Sequence, residues 1–252
     1  MLFRSLAGAK APVSFFAYPD KPSVLAPDTA KKTVLANAEV DVVDALTRLA
    51  NALEAPNQPA VITEGTQYPL VDGAIDAGEL GKVIANRLPA NAIVCDEGAT
   101  NGLGAFLLTA NAAPHDWLTL TGGAIGQGLP LAIGAAIACP NQKVLALEAD
   151  GSGMYTVQAL WTMVREALDI TVMLLNNGSY AILNIELQRV GVEEPGPTAL
   201  SLLDLTNPEI NWTDIAQGMG MQATRVTTVA ALDAAVAEAM SNKGPALIEV
   251  ML

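Results

Sequence analysis

From about residue 74 to the C-terminus, strand-like and helix-like runs alternate without a break, and few folds accommodate that pattern. "DAGELGKVIANRLP" reads as a helix and "AIVCDEG" as a strand that ends in a turn. "GGAIGQGLPLAIGAAIACP" reads as a Gly-opened helix, "KVLALEADGSG" as a strand and turn, and "TVQALWTMVREAL" as a helix. "ITVMLLNNGSYA" is a third strand and turn, followed by the helical "ILNIELQRV" and a Pro- and Asp-bearing loop over 193–211. "NWTDIAQGMG" is helical, "MQATRV" a strand, "TVAALDAAVAEAMSN" a helix and "PALIEVML" the last strand. The strand runs are apolar on both alternating faces. A sheet of such strands is parallel and covered by helices on both sides, so the expected class is α/β. Hydrophobic residues make up 51% of the chain and aromatics only 4%, which suits close helix-on-sheet packing.

The first 55 residues break the alternation. "APVSFFAYP" reads as a strand, "PSVLAP" as a turn and "EVDVVDALTRLANALEA" as an amphipathic helix with Val40, Val43, Leu46 and Leu49 at helical spacing. One helix makes a thin core for an independent domain. "PNQPAVITEGTQYP" is Pro-bearing and polar and reads as a linker. The expected organisation is therefore a short unit over 1–55, a linker over 56–73 and the alternating domain over 74–252.

Charge and cysteine usage narrow the function classes. Lys plus Arg number 13 against 26 Asp plus Glu, a net charge of −13 with no basic stripe. A nucleic-acid or anionic-membrane partner is not expected, and the acidity serves solubility. Cys95 and Cys139 form no CxxC pair, so neither a disulfide framework nor a zinc site is expected, and the reading is a reducing, cytoplasmic compartment. The N-terminal stretch lacks the apolar core of a signal peptide, and "GLPLAIGAAIACP" is too short to span a bilayer.

In an open parallel sheet, ligands bind beyond the carboxyl ends of the strands. Three such ends carry unusual residues: Asp96-Glu97-Gly98-Ala99-Thr100, Glu148-Ala149-Asp150-Gly151-Ser152 and Asn176-Asn177-Gly178-Ser179. One helix and one strand separate Asp150 from Asn177, a single βαβ crossover that can set the two ends side by side. A carboxylate, an amide oxygen and a backbone carbonyl are hard ligands that suit Mg²⁺, with phosphate oxygens completing the octahedron. Gly151 and Ser152 open the following helix, whose free N–H groups favour an anion. Either turn alone is an ordinary turn; the pair at two strand ends points to a magnesium-diphosphate site.

"ADGSGMYTVQALWTMVREALDITVMLLNN" resembles the thiamine-diphosphate-binding motif, which opens Gly-Asp-Gly and closes Asn-Asn. "HDWLTLTGGAIGQGLPLAIGAA" upstream and "SYAILNIEL" downstream are similar to the acetolactate synthase large-subunit-like branch of that superfamily, with benzoylformate decarboxylases as cousins. The resemblance implies that 75–252 are the diphosphate-binding domain and that 10–55 are the tail of the family's middle domain. It implies Mg²⁺ ligation by Asp150, the side chain of Asn177 and the backbone carbonyl of Ser179. It implies diphosphate contacts from Gly151, Ser152, Tyr155 and the hydroxyl of Thr100. The carbonyl of Gly123 would accept from the aminopyrimidine amine, and Ile125 would be the apolar wedge beneath the bent cofactor. Read without the resemblance, Ile125 is a core residue. Ala149 departs from the family's Gly; it is costly if that backbone needs positive φ and harmless if φ is negative.

The resemblance also implies a missing part. In the family a pyrimidine-binding domain precedes the middle domain and supplies a glutamate to the aminopyrimidine ring. Glu64, Glu79, Glu97 and Glu148 belong to the wrong segment for that role, so the catalytic glutamate is expected to be absent. A partner chain could supply it, the chain could be a fragment, or it could be a binding module without catalysis. The expected substrates are 2-oxo acids such as pyruvate, with decarboxylation and carboligation, or a benzoylformate-type decarboxylase reaction instead. Self-association is expected and flavin binding is not. His115 reads as a loop residue at the surface, and Glu97 as a weak candidate for facing the cofactor. "GGAIGQG" has the flavour of a dinucleotide loop, but no preceding strand and no ribose-binding acid are evident.

Overall fold

The computed structural model describes residues 3–59, 61 and 65–252, so Glu64 and part of the expected linker lie outside the described residues. The chain falls into two compact units, Met1–Ile62 with Gln188–Val192, and Thr63–Leu187 with Glu193–Leu252.

In the first unit, β1 (Phe3–Ala7) and β2 (Lys31–Ala36) form a two-stranded parallel ladder. The helix α1 (Val42–Ala52) follows, its N-terminus capped by Asp41, whose side chain accepts from the Asp44 amide at 2.9 Å. Helical spacing in the sequence is matched by a helix, but Val43, Leu46 and Leu49 are all exposed and Val40 lies ahead of it. The buried apolar residues described in this unit are Ala26, Ala30 and Ala36, a thin core. The strand expected at 11–19 does not form. That stretch makes one isolated bridge, Val13 to Val24, and Phe15 and Phe16 stay exposed, because no neighbouring strand satisfies its backbone.

The second unit contains, in order, α2 (Ala77–Arg87), β3 (Ile93–Glu97), α3 (Ala99–Leu108), β4 (Asp116–Thr119), α4 (Gly128–Ala138), β5 (Val144–Ala149) and α5 (Asp150–Gly153). It continues with α6 (Ala159–Arg165), β6 (Ile170–Asn176), most of α7 (Ala181–Arg189), α8 (Pro197–Ser201), α9 (Trp212–Gly218), β7 (Gln222–Val226), α10 (Val229–Ser241) and β8 (Ala246–Met251). The six strands lie in the order β4-β3-β5-β6-β8-β7, and every pairing is parallel. Alternate residues of the central strand β6 face opposite cores. Met173 and Leu175 pack with Leu80, Ile84, Leu232 and Val236 of α2 and α10. Ile170, Val172 and Leu174 pack with Leu129, Leu160 and Trp212 of α4, α6 and α9. This is the α/β architecture with helices on both faces. No helix among the described residues is long and apolar enough to cross a membrane.

The strand order positions the site. From β3 the chain passes outward to β4, then returns to β5 on the other side of β3. The crevice between the carboxyl ends of β3 and β5 is the topological switch point. Three elements there or near it have weak sequence signals. β4 is a four-residue edge strand, half-exposed. α3 holds Gly102 and Gly104, which lower helix propensity. α8 is five residues opened by Pro197.

The glycines of α3 have a packing reason. A Cβ on Gly81 of α2 would stand 2.7 Å from the Gly104 carbonyl oxygen, and one on Gly104 would collide with the Ala77 carbonyl. Gly104→Ala is therefore expected to destabilise by about 1–3 kcal/mol through overpacking. Urea denaturation checks this: the midpoint should fall with little change of slope, and an unchanged midpoint would refute the close approach.

Candidate functional site

Register brings the two halves of the expected site together. Ala149 of β5 pairs with Leu175 of β6, so Asp150 and Asn176 leave the sheet side by side. Asp150 is 3% exposed. One carboxylate oxygen accepts from the Gly151 amide and the other from the Gly178 amide, each at 2.8 Å, and the amides of Asn177 and Ser179 also face it. Burial raises the Asp150 pKa, and these N–H groups pull it back in part. Asp150 pairs with no Lys or Arg among the described residues. Asn177 turns its side-chain oxygen onto the Ser179 amide at 3.0 Å, and the Ser179 carbonyl accepts from Ala181 at 2.8 Å. Ala149 has φ −83° and ψ 153°, extended backbone in which its methyl costs nothing.

The remaining expected residues lie around this centre. Gly151 runs under the Tyr180 ring, leaving no room for a Cβ. The Ser152 hydroxyl donates to Glu148 and stands 3.2 Å from the Ala149 carbonyl, so it points into the protein. Thr100 is half-buried in the first turn of α3, directly after Ala99, whose φ of +48° is strained for a non-Gly residue. Gly122 and Gly123 both have positive φ, which shapes the loop that presents the Gly123 carbonyl; that carbonyl accepts from Ile125 at 3.0 Å. Ile125 is 56% exposed, so it is not a core residue, and Tyr155 is 60% exposed. Gly126, next after Ile125, packs against Tyr155: a Cβ on it would stand 2.8 Å from the Tyr155 Cβ.

Two acids have roles the sequence left open. Glu97 neither faces solvent nor lies free toward a ligand. It is buried and accepts from the amide of Gly126 at 2.6 Å and from that of Gly128, so it clamps the glycine loop from below. Glu148 is its register partner on β5 and is fully buried. Burial and the neighbouring Glu97 charge push the Glu148 pKa up to about 9, so it carries a proton at neutral pH. A side chain at 128 would collide with Glu148 and stand 2.8 Å from the Glu97 Cβ, which explains Gly128. The usable signal was an acid at the same depth in two apolar strand runs.

His115 lies outside this centre. It is half-buried at the approach to β4, with Nδ1 2.8 Å from the Ala113 carbonyl and its ring 6.0 Å from that of Trp117. Contrary to the sequence reading, a strand, β4, does precede "GGAIGQG". It still does not make a dinucleotide loop. β3 separates β4 from β5, and the acid at the end of β5, Glu148, is buried under Ser152.

Glu249 is the one charged residue inside the otherwise apolar run "ALIEVM". Glu249 of β8 is fully buried, accepting from Asn176, Thr213 and Arg225. Burial opposes its charge, but these donors outweigh burial and lower its pKa.

The donor set fits a hard cation and a diphosphate. Among the described residues Asp150 is a buried carboxylate held by backbone N–H groups alone, and the turn whose amides face it also carries the Asn177 amide oxygen and the Ser179 carbonyl. Comparison with known proteins shows the family. Residues 96–250 match the family described as thiamine pyrophosphate enzyme, C-terminal TPP binding domain. A Mycobacterium tuberculosis protein named acetolactate synthase large subunit IlvX is 48% identical over 98% of this chain and 48% of its own length. The acetolactate synthase isozyme 1 large subunit of Escherichia coli is 37% identical over 55% of this chain and 24% of its own. The thiamine diphosphate-dependent 4-hydroxybenzoylformate decarboxylase of Rhodococcus jostii superposes with a TM-score of 0.79 at 23% identity, covering 99% of this chain and 48% of its own, and shares the fold. The chain spans about half the length, or less, of the curated relatives it matches.

The protonated Glu148 gives a pH signature. A carboxyl whose folded pKa lies above its ordinary 4.5 favours folding at low pH and loses that advantage as the pH rises through about 9. Glu148→Gln keeps a neutral side chain there. Thermal denaturation from pH 5 to 9 should show the wild-type midpoint falling more steeply than that of the variant; parallel profiles would mean that Glu148 is already ionised.

Proposed function

Because the chain belongs to the thiamine pyrophosphate enzyme family and carries its C-terminal TPP-binding domain, we propose that Asp150 and Asn177 hold Mg²⁺ against the cofactor's diphosphate. The observation that carries this reading is the Asp150 carboxylate, buried at the switch-point end of β5 without a basic partner among the described residues. The Ser179 carbonyl is the third protein ligand. Gly151, the backbone amide of Ser152, Tyr155 and the Thr100 hydroxyl contact the diphosphate. The glycine loop, braced by Glu97, presents the Gly123 carbonyl to the aminopyrimidine and sets Ile125 under the cofactor. When bound, thiamine diphosphate supplies an electron sink for bond cleavage next to a carbonyl.

The proposed substrates are 2-oxo acids, with decarboxylation and carboligation of the acetolactate synthase kind. The reading further assigns the pyrimidine-contacting glutamate to another domain or chain. The described candidates support this, because each is engaged elsewhere. Glu79 pairs with Lys82 at 2.6 Å on α2, Glu97 holds the glycine loop and Glu148 is buried under Ser152. Leu103, Phe106 and Leu107 of α3 are exposed, as are Ile125, Met154 and Tyr155, and this apolar surface suits a covering partner. Residues 1–55 are then the tail of a middle domain, 56–73 a linker and 74–252 the cofactor domain.

Thermal denaturation with thiamine diphosphate tests the site. With Mg²⁺ and ligand at 100 times its Kd, the expected stabilisation is about 2.7 kcal/mol. Omitting Mg²⁺ or introducing Asp150→Ala should remove it. A shift that survives Asp150→Ala would refute the assignment. The chain alone, given pyruvate, thiamine diphosphate and Mg²⁺, should show no robust turnover; sustained acetolactate formation would place the activating glutamate within it.

A further inference from the structure

We propose that Glu249 is a positioning residue for the cation-binding turn, acting through the side-chain amide of Asn176. This rests on the reading of Asp150 and Asn177 as the cation site.

Glu249 sits in β8, opposite Leu174 of β6 and Arg225 of β7. One of its oxygens accepts from Asn176 Nδ2 at 2.9 Å and from an Arg225 terminal nitrogen at 3.1 Å. The other accepts from the Thr213 amide at 3.2 Å, the Thr213 hydroxyl at 2.6 Å and Arg225 Nε at 3.0 Å. An ionised carboxylate only accepts, so Asn176 must offer it the NH₂ end of its amide. The Asn176 oxygen is thereby turned the other way, onto the Gly178 amide at 3.1 Å. That same N–H also meets Asp150 at 2.8 Å, so two acceptors share one donor.

The sharing matters for ligation. An Asp150 oxygen that turns to a cation gives up the Gly178 N–H. Asn176 keeps that N–H satisfied, so the part-buried turn holds its shape while Asp150 is released. Glu249 thus fixes which end of Asn176 faces the turn, although it touches neither Asp150 nor Asn177. No other described buried acid is linked to the turn in this way.

Glu249→Gln tests the orientation. The oxygen of the introduced amide is best used on Thr213 and the Arg225 Nε, which places its NH₂ against Asn176. Asn176 must then flip and present NH₂ to the Gly178 N–H, leaving Asp150 as the sole acceptor. Asn176→Ala removes the second acceptor outright and serves if Glu249→Gln fails to fold. Val236→Ala, a core truncation in α10, controls for lost stability alone. Calorimetry gives the Mg²⁺ concentration needed for half-maximal thiamine diphosphate binding by the full chain, and amide hydrogen exchange at Gly178 reports on the turn without ligand. Expected results are a tenfold or greater rise in both for Glu249→Gln and Asn176→Ala, with Val236→Ala within threefold of wild type. Wild-type Mg²⁺ dependence in a folded Glu249→Gln or Asn176→Ala protein would overturn the positioning role, as would an equal loss in Val236→Ala. A wild-type chain that binds thiamine diphosphate without Mg²⁺ dependence would sink the cation-site reading, and the inference with it. Unchanged Gly178 exchange alongside normal Mg²⁺ dependence in the wild type would sink only the inference.

Discussion

A carboxylate removed from water without a basic partner is costly, by several kcal/mol in real proteins, and the switch-point end of this sheet is organised around that cost. Glu97, Glu148, Asp150 and Glu249 are all buried at or near strand ends. Each is accommodated differently. Glu249 has the Arg225 guanidinium and three further donors. Glu97 accepts from two amides of the glycine loop. Glu148 keeps a proton and accepts from Ser152. Asp150 has only backbone N–H groups as partners among the described residues, and the proposed divalent cation would complete its environment.

These accommodations build the site's walls. The Glu97 and Glu148 pair leaves no room for a side chain at Gly128, so the chain must approach closely there. That approach fixes the loop bearing Gly123 and Ile125. On the other side of Asp150, the Glu249 network fixes Asn176 and hence the turn bearing Asn177 and Ser179. The glycine loop and the turn bearing Asn177 and Ser179 are thus held by two separate sets of buried acids.

Strands and helices with a strong period were legible in the sequence. β3, β5, β6, β7 and β8, with the main helices between them, follow from apolar runs and their spacing. β4 was not, because an edge strand needs no continuous apolar run, and α3 was not, because its glycines serve packing against α2 at the expense of propensity. The placement of Asp150 and Asn177 at neighbouring strand ends was legible because one helix and one strand separate them in the sequence. The roles of Glu97 and Glu148 were not, because an acid after a strand reads the same whether it meets solvent, a ligand or a loop amide. Only the register, which pairs the two, decides. "APVSFFAYP" had strand composition but no neighbour to pair with, and β propensity without a ladder yields little.

Mn²⁺ replaces Mg²⁺ at hard-oxygen sites and is paramagnetic, so its position can be read directly. Titrating Mn²⁺ into the isotope-labelled chain with thiamine diphosphate should first broaden the amide resonances of residues 149–152 and 176–179. The same titration of the Asp150→Ala variant should leave those resonances sharp. Broadening centred elsewhere on this acidic surface, or equal broadening in the variant, would contradict a cation site built on the buried Asp150.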